Sequence, residues 1–389
     1  MTIALVVDSY NDRSNGTSMT AFRFASELVR RGHEVRVVCT GSGSKEGPCG
    51  ERLYFVRERH IPIVTEVSRR QHMVFGYPDL EVLEAAFSGC DLAHFYLPFA
   101  LEIAGVHLCR RMGLPYIGAF HVQPQHISYN MFLNFDWFNN YLFARFYKAF
   151  YRYIHHIHCP SKLMEEEIER AGYGGKKYVI SNGFRLSNTE SKPKPKSDSL
   201  FHIISVGRFS KEKRQDVLIR ALALSRHARQ LKLHLHGIGP REQSLRNLCD
   251  RFLCNPPELG FIDNALLIEK LKSADLYVHA AQVESEAISC LEAVSVGTVP
   301  VIADSVVSAT TQFALDSRSL FKTNDPKSLS EKIDYWIDHA EELDRMRAQY
   351  AKSALKYSMD VSIEKILAVY DEAIADFRRN PSLFETINP

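Results

Sequence analysis

Seven residues separate Glu284 from Glu292 in the segment Glu284-Ser285-Glu286-Ala287-Ile288-Ser289-Cys290-Leu291-Glu292. The segment follows a strand-like run, Ala274 to His279, and opens a helix-like run, Ile288 to Val296. A chain that leaves a strand through a polar turn and enters a helix has unpaired backbone N–H groups at the helix start. Together with the helix dipole they form a seat for phosphate. Glu284 precedes that seat and Glu292 stands one to two turns inside it. There a carboxylate can accept hydrogen bonds from neutral sugar hydroxyls. Taken alone, an ordinary strand–turn–helix with two surface glutamates explains the segment equally well. The flanks decide.

Directly after the strand-like run His202 to Val206 stands Gly207-Arg208-Phe209-Ser210-Lys211-Glu212-Lys213. Gly207 allows a sharp turn, and Arg208 and Lys213 place two cations at a strand's carboxyl end, suited to a diphosphate. Solvated surface charge is the commoner fate of such residues. Their position at a strand end, in the same half as the two glutamates, favours the diphosphate. Gly237-Ile238-Gly239-Pro240 reads as a tight turn without a function of its own, and Gly260-Phe261-Ile262 as a turn whose Ile262 backbone could meet a base edge. In the first half, Asn15-Gly16-Thr17-Ser18 lies between a strand and a helix and lacks a dinucleotide fingerprint. Its small residues would still let backbone N–H groups approach a phosphate or an acceptor. His121 follows the strand-like Tyr116 to Phe120 and so belongs at a sheet's carboxyl edge.

The elements that must hold these residues alternate between strand and helix. Ile3 to Val7, Met19 to Arg31 and Glu34 to Cys39 form a first β-α-β unit, with Gly32 as the helix stop. Leu92 to Tyr96, Ala100 to Met112, Tyr116 to Phe120, Leu163 to Ala171 and Lys177 to Ile180 continue the alternation. It implies a parallel sheet covered on both faces. The pattern breaks at the Lys-, Pro- and Ser-rich run from 186 to 200, then resumes. The expectation is an α/β chain of two doubly wound, Rossmann-like domains: an acceptor-binding domain over 1–185, a linker over 186–200 and a nucleotide-sugar-binding domain over 201–361. A helix over 362–389, with apolar Ile363, Ile366, Leu367, Tyr370 and Ile374, is expected to pack back on the amino-terminal domain. Ligands of such sheets bind beyond the strands' carboxyl ends, in a cleft between the two domains.

Composition narrows the field. The 389 residues suffice for two cores, and a formal net charge of +2 argues against a nucleic-acid binder. The eight cysteines are scattered, without a Cys-x-x-Cys pair, which reads as reduced thiols in a cytoplasmic setting. The N-terminus reads as a first strand rather than a signal peptide, and no apolar stretch approaches the length of a membrane span.

With these motifs in place, the chain resembles the retaining glycosyltransferases of the GT-B fold, family GT4. The resemblance rests on Gly207-Arg208 with Lys213, on Gly260-Phe261-Ile262, and on Glu284-x7-Glu292 followed by Ala293, Gly297, Pro300 and Val301. Gly32-His33-Glu34-Val35 and Val179-Ile180-Ser181-Asn182-Gly183 agree with it. It implies that Arg208 and Lys213 bind the donor's diphosphate and Glu292 its ribose. Glu284 and the backbone of Ala287, Ile288 and Ser289 would hold the transferred sugar and phosphate, with Gly16 and Ile262 completing the donor site. His121 would contact the sugar near the reacting carbon. Catalysis would rest on His121, Glu284, Arg208 and Lys213, with no metal and no cofactor beyond the nucleotide-sugar co-substrate. The chain departs from the family's common Glu-Pro-Phe-Gly: Ser285, Glu286 and Ala287 replace the last three, which removes a glycine and adds a charge. Arg214 replaces a frequent glycine and reads as a surface variation.

Residues 129 to 153 hold twelve aromatic side chains. On a helix, Phe143, Phe146, Tyr147, Phe150 and Ile154 share one face and Arg145, Lys148 and Arg152 the opposite one, the pattern of a core helix with a basic outer side. The preceding stretch, 130–138, lacks that periodicity. Phe135, Trp137 and Phe138, beside Arg145 and Lys148, suit a surface that dips among lipid headgroups. The expected activity is transfer of a hexose, from a UDP-sugar such as UDP-glucose, to a hydroxyl of a membrane-associated lipid or cell-envelope glycan. The enzyme would be cytoplasmic and peripheral at the inner face of an anionic membrane. A nucleotide-sugar epimerase on the same fold and a non-catalytic partner subunit are the rival readings.

Overall fold

The structure is a computed structural model that describes residues 1–12, 15–62, 64–69, 73–130, 133, 135–185 and 198–384, with backbone only at 64, 67, 130, 383 and 384. Most of the expected linker, 186–197, lies outside the described residues. The chain divides into two compact units: 1–128, 133–182 and 359–389 form the first, and 129–132 with 183–358 form the second.

The first unit is built on seven strands: β1 (Thr2–Val6), β2 (Glu34–Thr40), β3 (Arg52–Val56), β4 (Leu92–Phe95), β5 (Tyr116–Ala119), β6 (His156–Cys159) and β7 (Lys176–Val179). They pair in the order β3-β2-β1-β4-β5-β6-β7, every pair parallel. Central strands carry continuous apolar runs because helices cover both of their faces; Ile3 to Val6 are fully buried. The helix Met359–Arg379 completes this unit, with Ile363, Ile366 and Tyr370 fully buried in the first core.

The second unit has six strands: β8 (Phe201–Val206), β9 (Leu231–His236), β10 (Glu258–Gly260), β11 (Leu276–His279), β12 (Val299–Asp304) and β13 (Leu320–Lys322). Their order, β10-β9-β8-β11-β12-β13, is again wholly parallel. It reverses direction between β8 and β11, and that reversal is the topological switch point where doubly wound sheets bind ligands. In the first sheet the corresponding point lies between β1 and β4.

Three strands escape the sequence reading: β3 and β13, both edge strands, and β6, an interior strand whose His156 and His158 mask its full burial. β3 is only partly buried and β13 spans three residues, so neither shows a long apolar run. The aromatic stripe also needs correction. The helix Asp136–Ala149 stops short of Phe150, and Tyr151–Tyr153 form a 3-10 turn. Arg152 therefore leaves the exposed helical face and its guanidinium lies 5.2 Å from the Tyr153 ring centroid. Asp136, Trp137 and Phe138, read as aperiodic, form the first turn of this helix, and the helix Pro124–Asn130 precedes it.

Candidate active site

At the second unit's switch point β8 runs into Gly207-Arg208 and β11 into the loop before the helix Ile288–Ser295. Val299, Val301 and Ile302 of β12 support that helix from the core. Ala287 caps the helix with φ 66° and ψ 80°, and no side chain caps it. A left-handed conformation costs an alanine roughly 1–2 kcal/mol that glycine would not incur. The turn of the family's Gly is thus kept although the glycine is absent. Without a capping side chain or an acidic residue in its first turn, this helix start can receive an anion.

Below the seat runs a line of polar contacts. Lys213 Nζ pairs with the Glu284 carboxylate, both side chains largely buried. Glu284 Oε1 lies 3.2 Å from His279 Nε2. His279 Nδ1 is 3.1 Å from the Tyr277 hydroxyl, which is 2.9 Å from Ser289 Oγ; the Ser289 hydroxyl donates to the Val206 carbonyl at 3.2 Å. The Glu284 backbone is held by Ala309 N–H, 2.9 Å from its carbonyl. Lys213, assigned to phosphate, and Glu284, assigned to sugar, are therefore one ion pair.

The glycine pair read as a plain turn has a larger part. A Cβ on Gly237 would stand 2.0 Å from the Gly207 carbonyl oxygen, and one on Gly239 2.6 Å from that of Phe209. The exits of β8 and β9 run side by side, with Phe209 N–H donating to Ile238 and Arg241 N–H to Phe209. No side chain fits between them, so the two glycines fix the backbone that carries Arg208. Arg214 is likewise no surface variation. It holds φ 49°, its guanidinium bonds Asp216 at 3.3 Å, and it also bonds the Asn324 side chain. Asp216 is shared with Arg241 at 3.2 Å.

Glu292 is buried on the helix Ile288–Ser295 and accepts from Asn264 Nδ2 at 3.4 Å. Asn264 opens the helix that follows Gly260-Phe261-Ile262, so the ribose and base-edge candidates meet in one place. Glu286, expected as an added charge beside the sugar, is buried to 1% exposure.

In the first unit the corresponding region differs. Asn15 caps the helix Gly16–Arg30, its side chain accepting from Thr17 N–H at 2.9 Å and Ser18 N–H at 3.3 Å. Those two donors, expected to be offered to a ligand, are already engaged. A Cβ at Gly16 would meet nothing within 4 Å, so this side of the helix start is open. His121 is wedged between Tyr96, stacked at 5.4 Å, and His158, edge-on at 5.1 Å. Burial, then the neighbouring His158, holds its imidazole far below the usual histidine range. At neutral pH it is a neutral hydrogen-bonding group and not a cation. His94 extends the cluster, 4.5 Å from Tyr96 and hydrogen-bonded through Nδ1 to the Tyr370 hydroxyl at 2.9 Å. Asp8, just beyond β1, accepts from Gly76 N–H, yet burial pushes its carboxyl up to about 7. Burial, then the charge of Asp8, also raises Glu102.

Comparison with known proteins identifies the family. Residues 14–188 match the model described as Glycosyltransferase Family 4, and residues 187–354 match that of Glycosyl transferases group 1. This chain belongs to the family 4 glycosyltransferases. The glycosyltransferase is 24% identical over 325 residues to the alpha-monoglucosyldiacylglycerol synthase of Streptococcus pneumoniae, covering 78% of this chain and 71% of that one. An Anabaena protein solved in complex with UDP and glucose superposes with a TM-score of 0.73 at 16% identity, over 95% of this chain and 99% of that one. The fold is therefore GT-B. The catalytic domain of a Helicobacter pylori cholesterol-alpha-glucosyltransferase is 54% identical, covering 41% of this chain and 99% of that one, with a TM-score of 0.40.

The outer stripe of the helix Asp136–Ala149 carries Trp137, Tyr141, Arg145 and Lys148, each three or four residues from the next and all exposed. Trp137 is 67% and Phe135 53% exposed, so neither is core, whereas Phe143 and Phe146 are buried. Phe138 is half-buried, its ring 5.6 Å from Trp137. Among the described residues, no helix of this glycosyltransferase is long and apolar enough to cross a membrane. The supporting residues that sequence reasoning missed are Tyr277, His279, Gly237 and Gly239. Asp8 carried a visible signal, a carboxylate directly ending an apolar strand, and was passed over.

Proposed function

We propose that this glycosyltransferase moves a hexose, with retention, from a nucleotide-diphosphate sugar to a hydroxyl of a membrane-associated lipid, and that UDP-glucose is its favoured donor. The observation that carries the reading is the uncapped helix start at Ala287-Ile288-Ser289 beside the Lys213–Glu284 pair. It joins an anion seat, a cation and a sugar-facing carboxylate at one switch point. Arg208 and Lys213 meet the charge that develops on the departing diphosphate, an interaction worth most where water is scarce. The bond from the sugar's anomeric carbon to the phosphate oxygen breaks, and the acceptor oxygen bonds to that carbon from the same face. The acceptor's proton passes to the departing phosphate, so neither glutamate needs to form a covalent bond, unlike the carboxylates of a retaining glycosidase. No divalent metal is assigned a role in the transfer. Glu292 and Ile262 serve the ribose and the base, and Glu284 the sugar; within the first unit the candidate residues are Gly16 and His121.

The UDP of the Anabaena complex and the glycolipid product named for the streptococcal relative support the donor and the acceptor. The exposed Phe135, Trp137 and Tyr141 with Arg145 and Lys148 support work at a cytoplasmic, anionic lipid surface.

Nucleotide release should be measured against UDP- and GDP-sugars, without added Mg²⁺ or Mn²⁺. Diacylglycerol, a sterol and a soluble glycan, each with and without anionic vesicles, are the acceptors. Turnover with a UDP-hexose and a lipid acceptor, giving an α-linked product from an α-linked donor, supports the proposal. Turnover with the soluble glycan alone, or an inverted product, refutes it. Phe135→Ser with Trp137→Ser should abolish vesicle sedimentation at low salt and leave the melting temperature unchanged; a sharp drop in melting would return both residues to a packing role.

A further inference from the structure

On one face of the second sheet, beside the turn that carries Ile262, three electron-pair donors converge. His234 and His236 stand two apart on β9 and so share a face; Glu258 is the β10 partner of His234. One ligand atom from each lies within 4.8 Å of the other two. His234 Nδ1 and Glu258 Oε2 are 3.2 Å apart, close to the ~3.3 Å that separates two ligands around a tetrahedral ion bound at about 2.0 Å.

Hydrogen bonds behind the histidines set which nitrogens carry protons. His236 Nδ1 lies 3.1 Å from the Gly260 carbonyl, an acceptor only, so Nδ1 bears the proton. Its Nε2 is left as a buried lone pair without a hydrogen-bond partner among the described residues. On the other side Asp198 Oδ1 accepts from His202 Nε2 at 2.7 Å. With its proton on Nε2, His202 presents a lone pair at Nδ1, and His234 Nε2 donates to it at 2.9 Å. That leaves His234 Nδ1 unprotonated and facing Glu258. Burial keeps both rings neutral: it draws His234 down to about 4 and lowers His236 as well. A carbonyl and a carboxylate-backed imidazole are the outer partners that orient metal-binding histidines. Glu258 is half-exposed, which gives an ion a way in. Its existing counter-charge is Lys270, which touches Oε2.

We propose that His234, His236 and Glu258 bind a Zn²⁺-class divalent cation, with water completing its coordination. The ion would join β9 to β10 and stiffen the Gly260–Ile262 turn, whose Gly260 carbonyl holds His236 and also accepts from Gly237 N–H. A second group, His156 with Glu372 and Asp376, is the weaker candidate because one lysine engages both of its carboxylates. There Lys176 Nζ already sits 2.5 Å and 2.8 Å from the two carboxylates and supplies the cation.

Full-length protein, stripped of metal with a chelator that is then dialysed away, should be titrated with ZnCl₂ by calorimetry and Co²⁺ by visible absorption. One equivalent of Zn²⁺ should bind and raise the melting temperature, and Co²⁺ should give a low-symmetry d–d band. His236→Gln should weaken binding at least about ten-fold. Lys270→Ala, which removes the competing ammonium, should tighten it several-fold, an effect that no folding defect can mimic. No binding by the wild-type protein would overturn the proposal. So would unchanged affinity in His236→Gln, weaker binding in Lys270→Ala, or loss of the equivalent in His156→Gln instead.

Discussion

At the second sheet's switch point the polar groups are charged and matched: Lys213 against Glu284, Arg208 at a strand exit, Glu292 beside Asn264. At the first sheet's switch point the groups are as deeply buried but neutral. His94, Tyr96 and His121 stack, Tyr370 stands edge-on to His94, and Asp8 and Glu102 are pushed toward their protonated forms. Burial charges an ionised group several kcal/mol unless an opposite charge compensates it, and protonation is the alternative. One unit has adopted each solution. A polyanionic diphosphate needs the first kind of surface; an uncharged hydroxyl acceptor is compatible with the second.

Breaking the ion pair should have the largest effect. Lys213→Ala leaves Glu284 buried with His279, and loss of one partner of such a pair costs roughly 3–5 kcal/mol of stability. Chemical denaturation should show it, together with loss of turnover. Lys213→Met combined with Glu284→Gln should restore much of the stability without the activity; a double variant as unstable as the single one would show that the pair is not what Lys213 supports.

Arg208→Ala tests the same surface from the exit of β8. Turnover should fall by about 2–4 kcal/mol of transition-state stabilisation, with little change in melting. Near-wild-type kcat/KM would remove Arg208 from the diphosphate site. The glutamates should separate: Glu292→Gln should weaken UDP binding, while Glu284→Gln should spare it and depress transfer. Equal losses of UDP affinity would misplace Glu284.

The neutral region is sharpened by pH. Asp8 is protonated in the folded protein up to about pH 7 but ionises near 4 when unfolded. Its contribution to stability is full below pH 4, falls as pH rises toward 7 by on the order of 1.4 kcal/mol per unit, and is then flat. His158, drawn down to about 4 by burial, slopes the other way: its contribution is full above pH 6.5 and is lost as pH falls toward 4. Asp8→Asn should therefore melt higher than wild type at pH 7 and approach it at pH 4. A constant difference would mean that Asp8 is ionised in the fold.

The smallest effect concerns Ala287. Glycine there relieves the left-handed strain but loosens the unfolded chain, so Ala287→Gly should change stability by less than about 1 kcal/mol. UDP affinity, measured by calorimetry, should stay within about two-fold. A large loss would show that the methyl group itself shapes the seat.

Much of the second unit's site was legible in the chain because its residues stand at strand exits, where apolar runs end and function begins. Gly207-Arg208 and Glu284 follow from that rule, whereas the role of Glu292, inside the helix Ile288–Ser295, rests on the family resemblance. What stayed hidden was long-range. Lys213 meets Glu284 across 71 positions, and nothing in either segment names the other. Gly237 and Gly239 look like any turn until the neighbouring exit is seen to leave no room for a side chain. The edge strands β3 and β13 lacked the doubly buried pattern by which central strands announce themselves. The neutral state of His121 depends on Tyr96 and His158, contributed by two other strands.

Because the helix Met359–Arg379 fills the first unit's core, that unit is built from the beginning and the end of the chain. During synthesis, residues 1–182 emerge long before Tyr370 can reach His94. The second unit is complete by then, its Phe184 and Ser358 bridged side by side as the two ends of an insertion. A nascent chain thus waits with an unfinished amino-terminal half while its middle folds. A truncation that removes Met359–Arg379 would strike the half that was translated first.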